Sequence, residues 1–285
     1  MDLAQDVAPD GLTRVGARPP LGDYLRQVWL RRQFIVSLAQ FRIEAENQRN
    51  RLGMLWVVIK PLLEAAVYGT VFGFLLGSDA RPPHFVEFLI IGIFMFQFFS
   101  STFSAGAKSI TSNSALVQSL SFPRMTLPLS LVVQRLLLFI PTLVIMVVLV
   151  VVTGTAPHLN WLLLVPLIGL FFVFNCGLTL ITARLTVHFR DLSQLLPFIT
   201  RLLFYTTGLF FSIEERLANH PTLLRIADFQ PLHEFLTLAR GILLRGDAYE
   251  VKSIFWLYAS VWSFGVLAIG IVYFWAAEER YGRVD

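Results

Sequence analysis

The sequence predicts an all-α integral membrane protein with six transmembrane helices. An interfacial amphipathic helix precedes the first span, and an outer re-entrant helical segment precedes the last. Three observations predict this class. Six long apolar stretches, at about 54–77, 85–107, 128–152, 161–185, 195–213 and 254–277, each suffice as a helix for a hydrocarbon core about 30 Å thick, which takes ~20 residues. None alternates apolar and polar residues as a barrel strand does, so the backbone must pair within each segment. The composition, 55% hydrophobic and only 15% charged, lies far from that of an average soluble domain.

The 285 residues leave little chain beyond six spans and short connections. The expected organisation is a flexible N-terminus (1–20), an interfacial helix with its connector (21–52), one membrane domain (53–279) and a short tail (280–285). Residues 1–20 carry acids, prolines and glycines without an apolar core, so no cleavable signal peptide is expected. The single Cys176 falls inside a span and allows no intrachain disulfide.

From Asp23, a plausible N-cap, apolar residues recur at Leu21, Tyr24, Leu25, Val28, Ile35 and Leu38, with Arg26, Arg31 and Arg32 on other faces. That pattern suits a helix lying in the membrane interface, its arginines reaching lipid head groups; a water-exposed helix packed on a protein partner is the alternative. Residues 42–51 continue as a polar helical connector. Span 1 places Lys60 and Glu64 at i, i+4, where they share one face, and stacks Gly69, Gly73 and Gly77 into a strip that admits another helix closely, in the same copy or another. Arg135 and Arg201 lie in spans 3 and 5. Charges in spans face protein or water. These are either a structural pair with snorkelling arginines or, for Lys60, Glu64 and Arg201, the lining of a hydrated path for a polar substrate. Aromatic residues make up 14% of the chain. Tyr68 and Phe72 in span 1, the Phe94, Phe96, Phe98 and Phe99 group, and Phe204, Tyr205, Phe210 and Phe211 in span 5 are either lipid-facing and core rings or a lining over which sugar C–H surfaces slide. Between spans 5 and 6, Pro231 starts an amphipathic face at Leu232, Phe235, Leu236, Ala239, Ile242 and Leu243, too short to cross; residues 221–229 form a shorter piece before it.

Arginine and lysine set orientation. Arg14, Arg18, Arg26, Arg31, Arg32, Arg42, Arg49 and Arg51 precede span 1, and placing them inside also puts Lys108, Arg124, Arg184, Arg190, Arg280 and Arg283 inside. Both termini are therefore expected in the cytoplasm, and the net charge of +4 reflects topology rather than nucleic-acid binding. No G-x-x-x-x-G-K-[ST], H-E-x-x-H or G-x-S-x-G occurs, so no catalytic residue is expected and no nucleotide loop is present. The five histidines show no close ligand pairing, and no metal is expected. A chain of carboxylates for a proton relay is also missing, which disfavours a proton-driven transporter.

Four motifs in order carry a resemblance: Arg-Asn-Arg-Leu-Gly-x-x-Trp at Arg49–Trp56 followed by Pro61, Ser-Phe-Pro-Arg-x-x-Leu-Pro at Ser121–Pro128, His-Phe-Arg-Asp-Leu at His188–Leu192 followed by Pro197, and Gln-Pro-Leu-His at Gln230–His233 with Arg240–Gly246. Over roughly residues 25–280 the chain resembles the ABC-2 type permeases of the polysaccharide-exporting branch (Wzm and the O-antigen, teichoic-acid or galactan exporter subunits). Gln230 stands where asparagine is common. The resemblance implies a homodimer in the bacterial inner membrane with two copies of a separate ABC ATPase, which binds the ATP and Mg; this chain would hold no cofactor. It implies export of a lipid-linked glycan. It also implies that residues 24–38 form a gate helix (Tyr24, Arg26, Val28, Arg31, Arg32). Residues 116–125 and 190–195 would meet the ATPase through Leu120, Phe122, Pro123, Arg124, Arg190 and Asp191. Spans 1 and 5 would line the channel with Lys60, Glu64, Tyr68, Phe72, Arg201, Phe204, Tyr205, Phe210 and Phe211. The nearest alternative is an ABC-2 permease for a small amphiphilic drug; a secondary transporter would need internal repeats and a coupling-ion site, neither visible.

Overall fold

A computed structural model of the chain describes residues 19–47, 52–53, 55–75, 81–119, 122–244, 249 and 252–278. Outside these lie residues 1–18 of the expected flexible terminus, Arg49 and Arg51 of the first motif, Gly77, Leu120, Ser121, Gly246 and the 280–285 tail. In chain order the helices are α1 (Leu21–Leu30), α2 (Arg32–Asn47), α3 (Leu55–Leu75), α4 (Phe85–Ala107), α5 (Ser114–Ser119), α6 (Thr126–Val152), α7 (Leu164–His188), α8 (Leu192–Thr206), α9 (Ile213–Arg216), α10 (Pro221–Asp228), α11 (Pro231–Leu243) and α12 (Ile254–Trp275). No strand occurs among the described residues.

Among the described residues, five helices are long and apolar enough to cross a membrane: Leu55–Phe74, Phe85–Ala107, Thr126–Val152, Leu159–His188 (in which a 3-10 turn leads into α7) and Ile254–Trp275. The stretch expected as a span at 195–213 behaves differently. Its helix, α8, stops at Thr206 after 15 residues, about 22 Å at 1.5 Å per residue, and Thr207–Ser212 leave the helical path. The break has local causes. Gly208 adopts φ +71, and a Cβ there would lie 2.8 Å from the Ile213 side chain. The buried Arg240 of α11 then takes up the freed carbonyls, donating to Gly208 O at 3.0 Å and Leu209 O at 3.3 Å. Buried irregular backbone is tolerated when its polar groups find partners in this way.

α4 is the hub of the core. Phe94 and Phe99 are fully enclosed, and Phe98 packs between Phe139 of α6 and Phe171 of α7 at ring separations of 4.8 and 5.5 Å. α7 and α12 approach backbone to backbone: a Cβ on Gly270 would sit 2.5 Å from Gly177 O, and one on Gly177 would sit 2.4 Å from Leu267 N. By contrast, Gly69 and Gly73 of the expected strip face open space among the described residues, so no helix packs closely on them there. α3 stands at the edge, exposing Leu63, Val67, Val71 and Phe74. Its Pro61 cannot bond the Val57 carbonyl; Thr142 of α6 donates its hydroxyl to that oxygen at 3.4 Å.

The N-terminal segment forms two helices rather than one. Arg31 (φ −93, ψ 17) separates α1 from α2, and α1 begins at Leu21 behind Pro20, so Asp23 sits in the first turn rather than at the cap. Tyr24, Val28 and Ile35 are buried on the face turned to the protein. Trp29, Leu30 and Phe41 are 64–69% exposed on the other. Arg42 ties α2 down by donating to Ser130 Oγ (3.1 Å) and Asn113 Oδ1 (3.3 Å), and Arg135 pairs with Glu46 at 3.2 Å.

Candidate functional site

Two places gather the residues singled out by sequence. The first is a cavity of about 510 Å³ between α3, α4 and α8. α3 supplies Lys60, Glu64 and Tyr68, α8 supplies Arg201, Phe204 and Tyr205, and α4 supplies Gln97, Ser100, Ser101 and Ser104. Lys60 and Arg201 are exposed and Glu64 is half-buried; Gln97 Nε2 donates to Glu64 Oε2 at 3.5 Å. Beyond this polar wall the rings join. Tyr68 lies 5.3 Å from Phe204 and 5.5 Å from Phe210, Phe72 stacks on Phe210 at 3.9 Å, and Tyr205 lies 5.5 Å from Phe204. Five of the six expected rings thus form one cluster. Phe210 is its buried floor, while Phe211 is half-buried and packs against the core instead. Polar groups followed by broad aromatic faces offer many weak, repeatable contacts, unlike a closed apolar pocket with a few orienting groups.

The second place is the end of the molecule where Pro19 and Glu278 meet, Trp275 Nε1 donating to Pro19 O at 2.9 Å. The buried Glu278 joins three segments. Tyr24 Oη donates to its Oε2 at 2.7 Å, the Arg124 backbone N–H donates to its Oε1 at 2.9 Å, and the Met125 N–H donates to Tyr24 Oη at 3.1 Å. The Arg124 guanidinium lies 4.0 Å from the same carboxylate. Burial pushes the Glu278 carboxyl up from its ordinary value, against the lowering effect of these donors. Val28 is buried beside Tyr24 in the same cluster, whereas Arg26, Arg31 and Arg32 lie on the exposed side. Phe122 packs on Phe34 of α2 at 5.7 Å, and Pro123 is buried. So Phe122, Pro123 and Arg124 are already engaged with the chain's own helices. Arg190 and Asp191 are exposed, and Arg190 borders a cleft of about 470 Å³ with Lys108, Thr111, Ser114, Gln118, Thr186 and Ser193.

Sequence reasoning missed six participants. Gln97, Ser100, Ser101 and Ser104 recur at helical spacing and were legible as a polar face inside an apolar span. Glu278 carried a weaker signal, an acid just past the last span. Arg240 lay within a quoted motif, but its service to Gly208 and Leu209 depends on a chain break that no periodicity announces.

Long apolar helices, five of them among the described residues able to cross a membrane, around a polar and aromatic cavity are the build of a membrane transport protein. The chain belongs to the ABC-2 type transporter family, whose model matches residues 33–244. It is 28% identical over 255 residues to the O-antigen export system permease protein RfbA of Klebsiella pneumoniae, covering 88% of this chain and 94% of that one. It is 26% identical over 257 residues to the protein of the same description from Myxococcus xanthus, covering 90% and 94%. It is 23% identical over 234 residues to the polysialic acid transport protein KpsM of Escherichia coli, covering 80% and 87%.

Proposed function

We propose that this chain is the permease subunit of an ABC exporter that moves a lipid-linked polysaccharide, of O-antigen, teichoic-acid or galactan type, from the cytoplasmic to the outer side of the bacterial inner membrane. The observation that carries this reading is the open cavity of α3, α4 and α8, which brings a polar wall and aromatic rings together. Its aromatic wall suits the repeated apolar faces of sugars better than one small drug, and the relatives named above, described as O-antigen export and polysialic acid transport proteins, favour the same cargo. Two copies would close the cavity into a channel, with Gly69, Gly73 and the exposed face of α3 available for the contact. The hydrolysis of ATP with Mg falls to two copies of a separate ABC ATPase.

In this reading, the end holding Pro19 and Glu278 faces the cytoplasm, as the arginine distribution requires. α8 with residues 207–212 makes a sixth crossing, and α10 and α11 form the re-entrant segment of the outer face. α1 and α2 act as the gate helix, and the cleft between Lys108 and Arg190 receives the ATPase. The test is deletion and complementation. Cells lacking the chain should lose surface polysaccharide while lipid-linked glycan accumulates on the cytoplasmic leaflet. Unchanged surface glycan with new sensitivity to an amphiphilic drug would favour the drug exporter instead.

A further inference from the structure

Three short elements far from the Glu278 junction converge on one point. Glu214 of α9, Asp228 at the end of α10 and His233 in the first turn of α11 each place a ligand atom within 4.8 Å of the other two. Their irregular spacing in sequence matches no metal motif, which is why none was expected there. The decisive member is His233, 3% exposed, whose ring has the Thr207 backbone as a hydrogen-bonding neighbour and keeps at least one nitrogen without a partner. Asp228 Oδ1 is likewise buried without a partner. An unsatisfied buried polar group destabilises by about 1–3 kcal/mol, a cost that an ion bound among these groups would offset. A cavity of about 30 Å³ adjoins, lined by Glu214, His233, Ser212 and Thr237 among others; that is room enough for a water, which needs about 10–15 Å³ by this measure.

We propose that Glu214, Asp228 and His233 bind a divalent transition-metal ion, Zn²⁺ by ligand chemistry, with water in the remaining position. One imidazole nitrogen and two carboxylate oxygens suit Zn²⁺ in four-coordination, whereas Ca²⁺ takes six or more oxygens. Ligands about 2.0–2.2 Å from an ion lie roughly 3.3–3.5 Å apart in a tetrahedron, so the site contracts by about an ångström on binding. The other groups around the ring are the Thr207 backbone, Arg240 and Lys252. Arg240 is occupied by carbonyls. Lys252 Nζ stands 3.7 Å from Asp228 Oδ2, but its side chain is 58% exposed and can swing into solvent when the ion arrives. The ion would fasten α9, α10 and α11 to one another. This inference does not rest on the transport reading.

The test uses full-length, tag-free protein in lipid nanodiscs, stripped with chelator and titrated with Zn²⁺ alone. The wild type should bind one ion per chain and melt at higher temperature when loaded. His233→Gln and Asp228→Asn should weaken binding at least about 10-fold. Lys252→Met should tighten it, because the competing ammonium is gone. If the buried His233 variant fails to fold, Glu214→Gln on the half-exposed α9 should show the same loss while melting normally in chelator. Absence of stoichiometric binding by the wild type, or wild-type affinity in the Asp228 and Glu214 variants, overturns the proposal.

Discussion

Tyr24 connects three segments through one hydroxyl, donating to Glu278 Oε2 and accepting from the Met125 N–H. Tyr24→Phe leaves both groups buried and short of a partner, and should destabilise the folded protein by about 1–3 kcal/mol, read as a lower melting temperature in detergent. Glu278 adds a pH dependence. Burial raises its pKa in the folded chain, so its contribution to stability is full below the unfolded carboxyl value of about 4.3 and is lost as pH rises through the raised value. Over that window the wild type should lose melting temperature relative to Glu278→Gln; parallel curves would contradict the assignment. Arg240 is the other residue on which much depends. It donates to Phe88 O, Gly208 O and Leu209 O and lies 3.4 Å from the centre of the Phe88 ring. Arg240→Met should strand three carbonyls, at a cost of about 3 kcal/mol or more, measured by the same melts.

At the scale of the helix, the long apolar elements were legible because length and composition settle them in lipid. Contacts were less legible. The sequence drew attention to Gly69 and Gly73, where an added Cβ would meet no described atom within 4 Å, while the close crossing is made by Gly177 and Gly270 of α7 and α12, two isolated glycines with no spacing signal between them. Gly270→Ala should force these helices apart and destabilise the monomer by about 1–3 kcal/mol. Gly73→Leu should leave the monomer's melting unchanged but reduce the dimer fraction seen by crosslinking, if the strip meets a second copy. The early end of α8 was illegible for a related reason. Thr207–Ser212 is apolar enough to continue a helix, and only the distant Arg240 makes the break affordable. Among the candidate site residues, Lys60, Glu64, Tyr68, Arg201, Phe204 and Tyr205 come together because α3 and α8 both pack on α4. That adjacency is tertiary, beyond the reach of any one segment's pattern.

For the whole molecule, the proposed exporter links two distant regions: the Glu278 junction, where α1 and the 122–125 turn meet, and the aromatic cavity. Purified alone, the chain should hydrolyse no ATP above background and should copurify with a separate ATPase. The central claim is that the aromatic cavity conducts a glycan, and the most direct measurement is the export rate of lipid-linked polysaccharide by the reconstituted permease and ATPase carrying Tyr68→Ala, Phe204→Ala or Tyr205→Ala. The account predicts glycan export slowed several-fold in these variants, with dimer formation and ATPase attachment intact. Wild-type export by all three would contradict it.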